Sequence, residues 1–271
     1  MSFEAMNPRD YYERLTHVYC RLVGHEWHLG YWLNASTLPE AVAKLTELMA
    51  RRLPVGAGMT VLDLGCGVGG AACYLAENSG CLVIGVSNSR SGLDEAERWV
   101  RQKKLEHVVS FRFANAVELP FPDGHFDAVW SCEAFHNFVD QDWPTRELAR
   151  VLKPGVAACL GDIFLLQETA DQTSDLRELE SYGFHLLTAD RWISILQRHG
   201  VMVQESISIG HHVGVQSLSV CTELFAAEAE NHAQGTIERV LCERTVEATS
   251  RLLSCFRRQE VSWGIWVGKK V

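Results

Sequence analysis

Positive charge is scarce in this chain: 25 Lys and Arg stand against 34 Asp and Glu, a net charge of −9. Affinity for a phosphate backbone or an anionic lipid surface needs a basic face, so this balance excludes nucleic acid as the expected partner. Long apolar runs are missing as well. None approaches the ~20 residues that cross a bilayer, so membrane insertion is not expected. The nine cysteines include no C-x-x-C pair, and the chain has no internal repeat, no low-complexity tract and no obvious linker. The opening Met1-Ser2-Phe3-Glu4 lacks the basic and apolar regions of a signal peptide. Cys66, Cys73, Cys81, Cys132 and Cys159 fall in or beside stretches that read as buried, where a free thiol behaves as a small hydrophobe. These absences point to a reducing, cytoplasmic setting.

What is present is an ordinary globular composition, 47% hydrophobic and 22% charged over 271 residues. That length suits one large α/β domain. Helical spacing of apolar residues marks 8–22 and 38–52, the second opened by Thr37 as N-cap with Pro39 in the first turn. Strands at 59–64, 82–86, 108–113, 126–131 and 156–160 then alternate with helices at 71–77, 91–103 and 144–152. The last strand follows the turn signal Lys153-Pro154-Gly155. Alternation of this kind predicts right-handed βαβ units and a mostly parallel sheet with helices on both faces. The tail reads as helix 188–199, strand 201–209, helices 216–230 and 236–257, and a closing strand 261–267. The organisation expected is one domain, 1–271: a helical cap (1–55), a cofactor core (56–165), and a substrate lid with closing strands (166–271).

The strongest local signal is Val61-Leu62-Asp63-Leu64-Gly65-Cys66-Gly67-Val68-Gly69-Gly70. Gly65, Gly67 and Gly70 fit the G-x-G-x-x-G dinucleotide pattern. Asp63 argues against that ligand, because a carboxylate at the strand end repels a pyrophosphate held at a helix N-terminus. The second strand also ends Gly85-Val86-Ser87-Asn88, without the acidic residue that binds a nicotinamide cofactor's ribose. Asp63 suits a ligand with an ammonium group.

Here the residues resemble a family. Asp63-x-Gly65-x-Gly67-x-Gly69 is similar to the first motif of class I S-adenosylmethionine-dependent methyltransferases. Asn115-Ala116-x-x-Leu119-Pro120-Phe121, Phe126-Asp127-Ala128-Val129-Trp130 and Leu152-Lys153-Pro154-Gly155 resemble its later motifs in the same order. The resemblance covers residues 8–165 well and the tail loosely, within the small-molecule branch of sugar O-methyltransferases and tocopherol and sterol methyltransferases. It implies a Rossmann-like seven-stranded sheet, S-adenosyl-L-methionine as cofactor, and a small-molecule acceptor; it leaves a homo-oligomer open. Asp63 then faces the methionine amine. Gly65, Gly67 and Gly69 let the backbone approach the nucleoside. Asn115 and Ala116 lie beside the adenine, Asn115 replacing the usual Asp while keeping a carbonyl acceptor. Ser87 and Asn88 either contact the ribose or cap the following helix. Tyr11 and His28 belong to an N-terminal segment that folds over the cofactor, with Trp32 as an apolar anchor.

Methyl transfer to a hydroxyl needs alignment and a proton acceptor. His136 follows the fourth strand and Asp162 follows the fifth, so neighbouring strand ends bring them to one place. The resemblance implies that they act as a pair, His136 as general base and Asp162 as its orienting acid. Carbon methylation is the second reading, with Glu133, Trp192 and Tyr182 available to steady a carbocation, and nitrogen methylation is the third. A non-catalytic cofactor-binding regulator is a different class of answer. His25 and His28, three apart, tempt a zinc reading, but no third ligand or C-x-x-C supports it, so no metal is expected.

Overall fold

A computed structural model describes residues 8–168 and 171–271; the signal-peptide reading at Met1 to Glu4 lies outside them. Two helices come first, α1 (Pro8–Leu22) and α2 (Leu38–Ala50). Thr37 caps α2 as expected, its hydroxyl accepting from Glu40 N. The alternating core follows: β1 (Thr60–Leu64), α3 (Gly70–Ser79), β2 (Leu82–Ser87), α4 (Arg90–Lys103), β3 (Val109–Phe113), β4 (Phe126–Cys132), α5 (Asp142–Val151) and β5 (Leu152–Leu165). The tail adds α6 (Ser174–Glu178), α7 (Ala189–Arg198), β6 (Val201–Ser208), α8 (Gly210–Glu230), α9 (Ile237–Arg257) and β7 (Val261–Lys270).

The strands form one seven-stranded sheet in the order β3-β2-β1-β4-β5-β7-β6. β7 runs antiparallel to both of its neighbours, and the remaining pairings are parallel. β1 and β4 are largely buried on both faces because helices cover both sides of the sheet. The chain winds outward from β1 to β3, then crosses back to β4 on the other side of β1. In open α/β sheets ligands bind at such a reversal, outside the carboxyl ends of the strands.

Two expectations change. β5 is much longer than 156–160. Lys153-Pro154-Gly155 does not precede the strand but bulges within it: Phe126 pairs with Leu152 and Ala128 with Ala157. Asp162 therefore lies inside β5, opposite Gly264 of β7, and not beyond its end. The short helix α6 carries no periodic signal long enough to read from sequence.

α1 packs on α8 and α9 through its own apolar cluster, which includes Leu15, Val18, Phe225 and Leu241. Trp32 anchors the α1–α2 loop as expected. It is buried with Leu38, Ala41 and Val42, and its indole N–H donates to Ser217 Oγ at 2.7 Å. No helix among the described residues is long and apolar enough to cross a membrane.

Candidate active site

The carboxyl ends of β1, β2, β3 and β4 surround a cavity of about 400 Å³. Its wall includes Gly65 and Gly67 after β1, Ser87 and Asn88 after β2, Asn115 and Ala116 after β3, and Glu133 after β4. The sheet reversal thus gathers seven of the residues singled out from sequence.

The glycine loop is held by Val86 O, which accepts from Gly65 N at 2.9 Å and Cys66 N at 3.0 Å. Gly65 has φ +83°, and a Cβ there would stand 2.4 Å from the Ala134 Cβ, so only glycine fits. Gly67 also has positive φ and open space where a side chain would be. Gly69 is the N-cap of α3, packed against Phe111 and Ala96 and not on the cavity wall. Asp63 sits on β1 just below Leu64 and Gly65, 2% exposed, and its Oδ2 has no hydrogen-bond donor. Burial pushes its pKa up to about 7, against the pull of His28.

The cap of α4 is Ser89 and neither Ser87 nor Asn88. The Ser89 hydroxyl accepts from Gly92 N at 3.0 Å, which leaves Ser87 and Asn88 on the cavity wall. Ser87 Oγ in turn accepts from Ser89 N at 3.1 Å. Asn115 Oδ1 accepts from Val117 N at 3.3 Å and so shapes its own turn.

Tyr11 and His28 are not brought to the cavity. The Tyr11 hydroxyl bonds Thr245 and Tyr19 within the cluster under α9, while Tyr12 lines the cavity and stacks on Trp27. Adjacent helical residues point about 100° apart, and their adjacency alone does not say which tyrosine faces inward. His28 is buried beneath, Nδ1 donating to Leu29 O at 2.7 Å and Nε2 bonded to Thr46 Oγ1 at 3.0 Å. Thr46 donates its own proton to Glu26 at 2.7 Å, so the imidazolium satisfies the whole chain. Burial opposes that charge, but Glu26 and Glu133 outweigh it and the His28 pKa is raised.

Glu133 has φ +50°, a strained value for a non-glycine residue. Its Oε1 accepts from Leu29 N at 2.9 Å and Trp263 Nε1 at 2.8 Å, tying the N-terminal loop to β7. Burial raises its pKa, opposed first by His28.

A short 3₁₀ turn, Phe135–Asn137, carries His136. Asp162 Oδ1 accepts from His136 Nδ1 at 2.7 Å and from Ile163 N at 2.8 Å. Its Oδ2 accepts from Phe135 N at 2.9 Å and His136 N at 3.2 Å. Phe184 stacks on the imidazole with centroids 4.8 Å apart, and Asn137, on the cavity wall, places its amide nitrogen 3.3 Å from His136 Nε2. Burial lowers the His136 pKa, but the charge and hydrogen bond of Asp162, with Glu133, bring it above the ordinary value. Sequence reasoning missed Tyr12, Trp27, Asn137 and Phe184; Phe184 lies in a stretch with no regular period. Trp192 and Tyr182 stand elsewhere. Trp192 is buried against Phe135 and Trp266, and the Tyr182 hydroxyl donates to Glu247 at 2.9 Å.

Sheet order, glycine loop and cavity define a nucleoside-cofactor site of the Rossmann-like kind. Comparison with known proteins narrows this. Residues 62–160 match the family described as "Methyltransferase domain". Methyltransferase GfsG of Streptomyces halstedii is 36% identical over 200 residues, 73% of this chain and 70% of that one. O-methyltransferase resE of Aspergillus sclerotiorum is 32% identical over 251 residues, 84% of this chain and 95% of the other. The structure of the cyclopropane synthase MmaA2 from Mycobacterium tuberculosis shares the fold, with a TM-score of 0.85 at 17% identity over 97% of each chain. The chain belongs to the S-adenosylmethionine-dependent methyltransferases.

The residues present fit that cofactor. The donorless Asp63 Oδ2 is a place for a cationic amine, since a buried carboxylate oxygen without a partner is otherwise costly. Gly67 leaves its backbone open to close approach.

Proposed function

We propose that this enzyme methylates a hydroxyl oxygen of a small natural product, with His136 as general base and Asp162 as its orienting partner. The observation that carries the reading is the buried 2.7 Å bond between His136 Nδ1 and Asp162 Oδ1, beside the wall of the cofactor cavity. S-Adenosylmethionine, when bound, supplies an electrophilic methyl group on a sulfonium. Asp63, the glycine loop, Ser87, Asn88, Asn115 and Ala116 hold it, with Asp63 taking the ammonium. Asp162 fixes the tautomer: because Nδ1–H donates to the carboxylate, Nε2 keeps its lone pair for the acceptor's proton. Asn137 covers Nε2 until an acceptor hydroxyl replaces its amide. Tyr12 and Trp27 screen the cavity from water, residues 1–55 serving as cap and 166–271 as lid, in a cytoplasmic protein with a small-molecule partner. The relatives named above support the reading, one being an O-methyltransferase.

Glu133 favours a second reading, carbon methylation. It is a half-buried carboxylate on the cavity wall, suited to steady a carbocation. His136→Ala separates the two. With a hydroxyl acceptor found by screening, the substitution should cut methyl transfer by about 10²–10⁴-fold while S-adenosylhomocysteine affinity, measured by calorimetry, stays the same. Full transfer in that variant would remove the general-base role.

A further inference from the structure

A second cavity of about 490 Å³ opens beside the start of α3, with Cys20, His25, Gly70 and Trp99 on its wall. Here the fold assembles what the spacing of His25 and His28 could not. Cys20 comes from α1, His25 from the loop after it and Glu95 from α4, and their ligand atoms all lie within 4.8 Å of one another. We propose that Cys20, His25 and Glu95 form a binding site for a zinc-class divalent cation.

The donor set is a thiol, an imidazole and a carboxylate, the three kinds that zinc accepts, and Cys20 and His25 line the cavity, through which water reaches them as a fourth ligand. The imidazole and the carboxylate are each oriented by a neighbour. The His25 ring stacks on Trp99, centroids 3.9 Å apart and 9° from parallel, with Nε2 3.0 Å from Glu95 Oε1. Arg98 holds the other carboxylate oxygen, Nε to Oε2 at 2.8 Å, and so leaves Oε1 turned toward His25. Bonds of about 2.3 Å to sulfur and about 2.0 Å to nitrogen and oxygen put tetrahedral ligand atoms roughly 3.3–3.5 Å apart, so His25 Nε2 and Glu95 Oε1, now 3.0 Å apart, part slightly while the Cys20 sulfur, within 4.8 Å of both, closes in by rotamer adjustment. Burial keeps the Cys20 thiol protonated, its pKa pushed up to about 12, so the cation displaces a proton to solvent on binding.

The site joins the N-terminal cap to the cofactor core. His25 O accepts from Gly70 N at 3.1 Å, directly after the glycine motif, and Trp27, two residues on from His25, lines the cofactor cavity. A bound cation therefore staples α1 and its loop to α4 across the back of that motif.

Cobalt(II), titrated into the reduced full-length protein, is the probe. We expect one equivalent per chain to bring up a sulfur-to-cobalt charge-transfer band that zinc abolishes by competition. The band should vanish in Cys20→Ser, and cobalt affinity should fall by at least about tenfold in His25→Ala and Glu95→Gln. Zinc should raise the unfolding temperature of the wild type and leave that of Cys20→Ser unmoved. Circular dichroism and S-adenosylhomocysteine affinity verify that each variant is folded. No band in the wild type, a band that persists in Cys20→Ser, or unchanged affinity in both other variants would overturn the site. None of these readouts depends on the identity of the methyl acceptor or on His136.

Discussion

Asp63 and Asp162 are the same group, both 2% exposed and both inside strands of one sheet, yet they stand in opposite states. Asp162 takes four donors: the His136 ring and the backbone N–H groups of Phe135, His136 and Ile163. Asp63 Oδ2 has none. A buried carboxylate is tolerated when its lone pairs are filled and is costly when they are not. The chain has satisfied the carboxylate that orients a side chain of its own. It has left Asp63 Oδ2 open, the atom to which we assign the cofactor's ammonium group.

Alanine at each position should separate them most sharply. Asp162→Ala strips the acceptor from four buried donors and should cost about 3–5 kcal/mol in urea unfolding. Asp63→Ala removes an unpaired carboxylate, so the ligand-free protein should be no less stable; an equal loss in both variants would erase the contrast. The ligand-free protein should next show a pH-dependent penalty from Asp63. The folded group has a pKa of about 7 against an ordinary 3.8, so it binds its proton more tightly than the unfolded chain does. The stability it contributes is full below about pH 4 and is lost as pH rises through about 7, an upper bound of about 4 kcal/mol. Thermal unfolding across that range should slope downward in the wild type and flatten in Asp63→Asn. For the cofactor, Asp63→Ala should weaken S-adenosylhomocysteine by about 10–100-fold, the worth of a charge-assisted hydrogen bond. Smallest is a shift in the pH profile of methyl transfer. A base must be neutral to act, so activity rises with pH through the His136 pKa, which Asp162 helps to raise. Asp162→Asn removes that charge and should move the acidic limb to lower pH by about one unit; a limb that stays in place would sever His136 from the rate.

The alternating core was legible because its signals are local. A short apolar strand followed by glycines, as at Leu62 to Gly70, fixes both a β–α turn and its ligand class, and strand ends place Ser87, Asn115 and Glu133 on one rim. Tyr11 and Tyr12 show where this stops. They are adjacent and alike in chemistry, and only the packing of α1 on α8 and α9 turns Tyr12 inward. Phe184 over His136 lies in a stretch without periodicity, and Glu95 reaches His25 across 70 residues.

By itself, then, the sequence determined the order of strands and helices, the glycine loop and the chemical type of each rim residue. These follow from backbone sterics and hydrophobic periodicity acting over a few residues. Only the tertiary structure decided the length of β5 through its bulge, the burial of Asp162 within it, the turning of His28 toward Thr46, and the open valence of Asp63. Whether a buried polar atom finds a partner depends on segments far apart in the chain, and no local pattern records that.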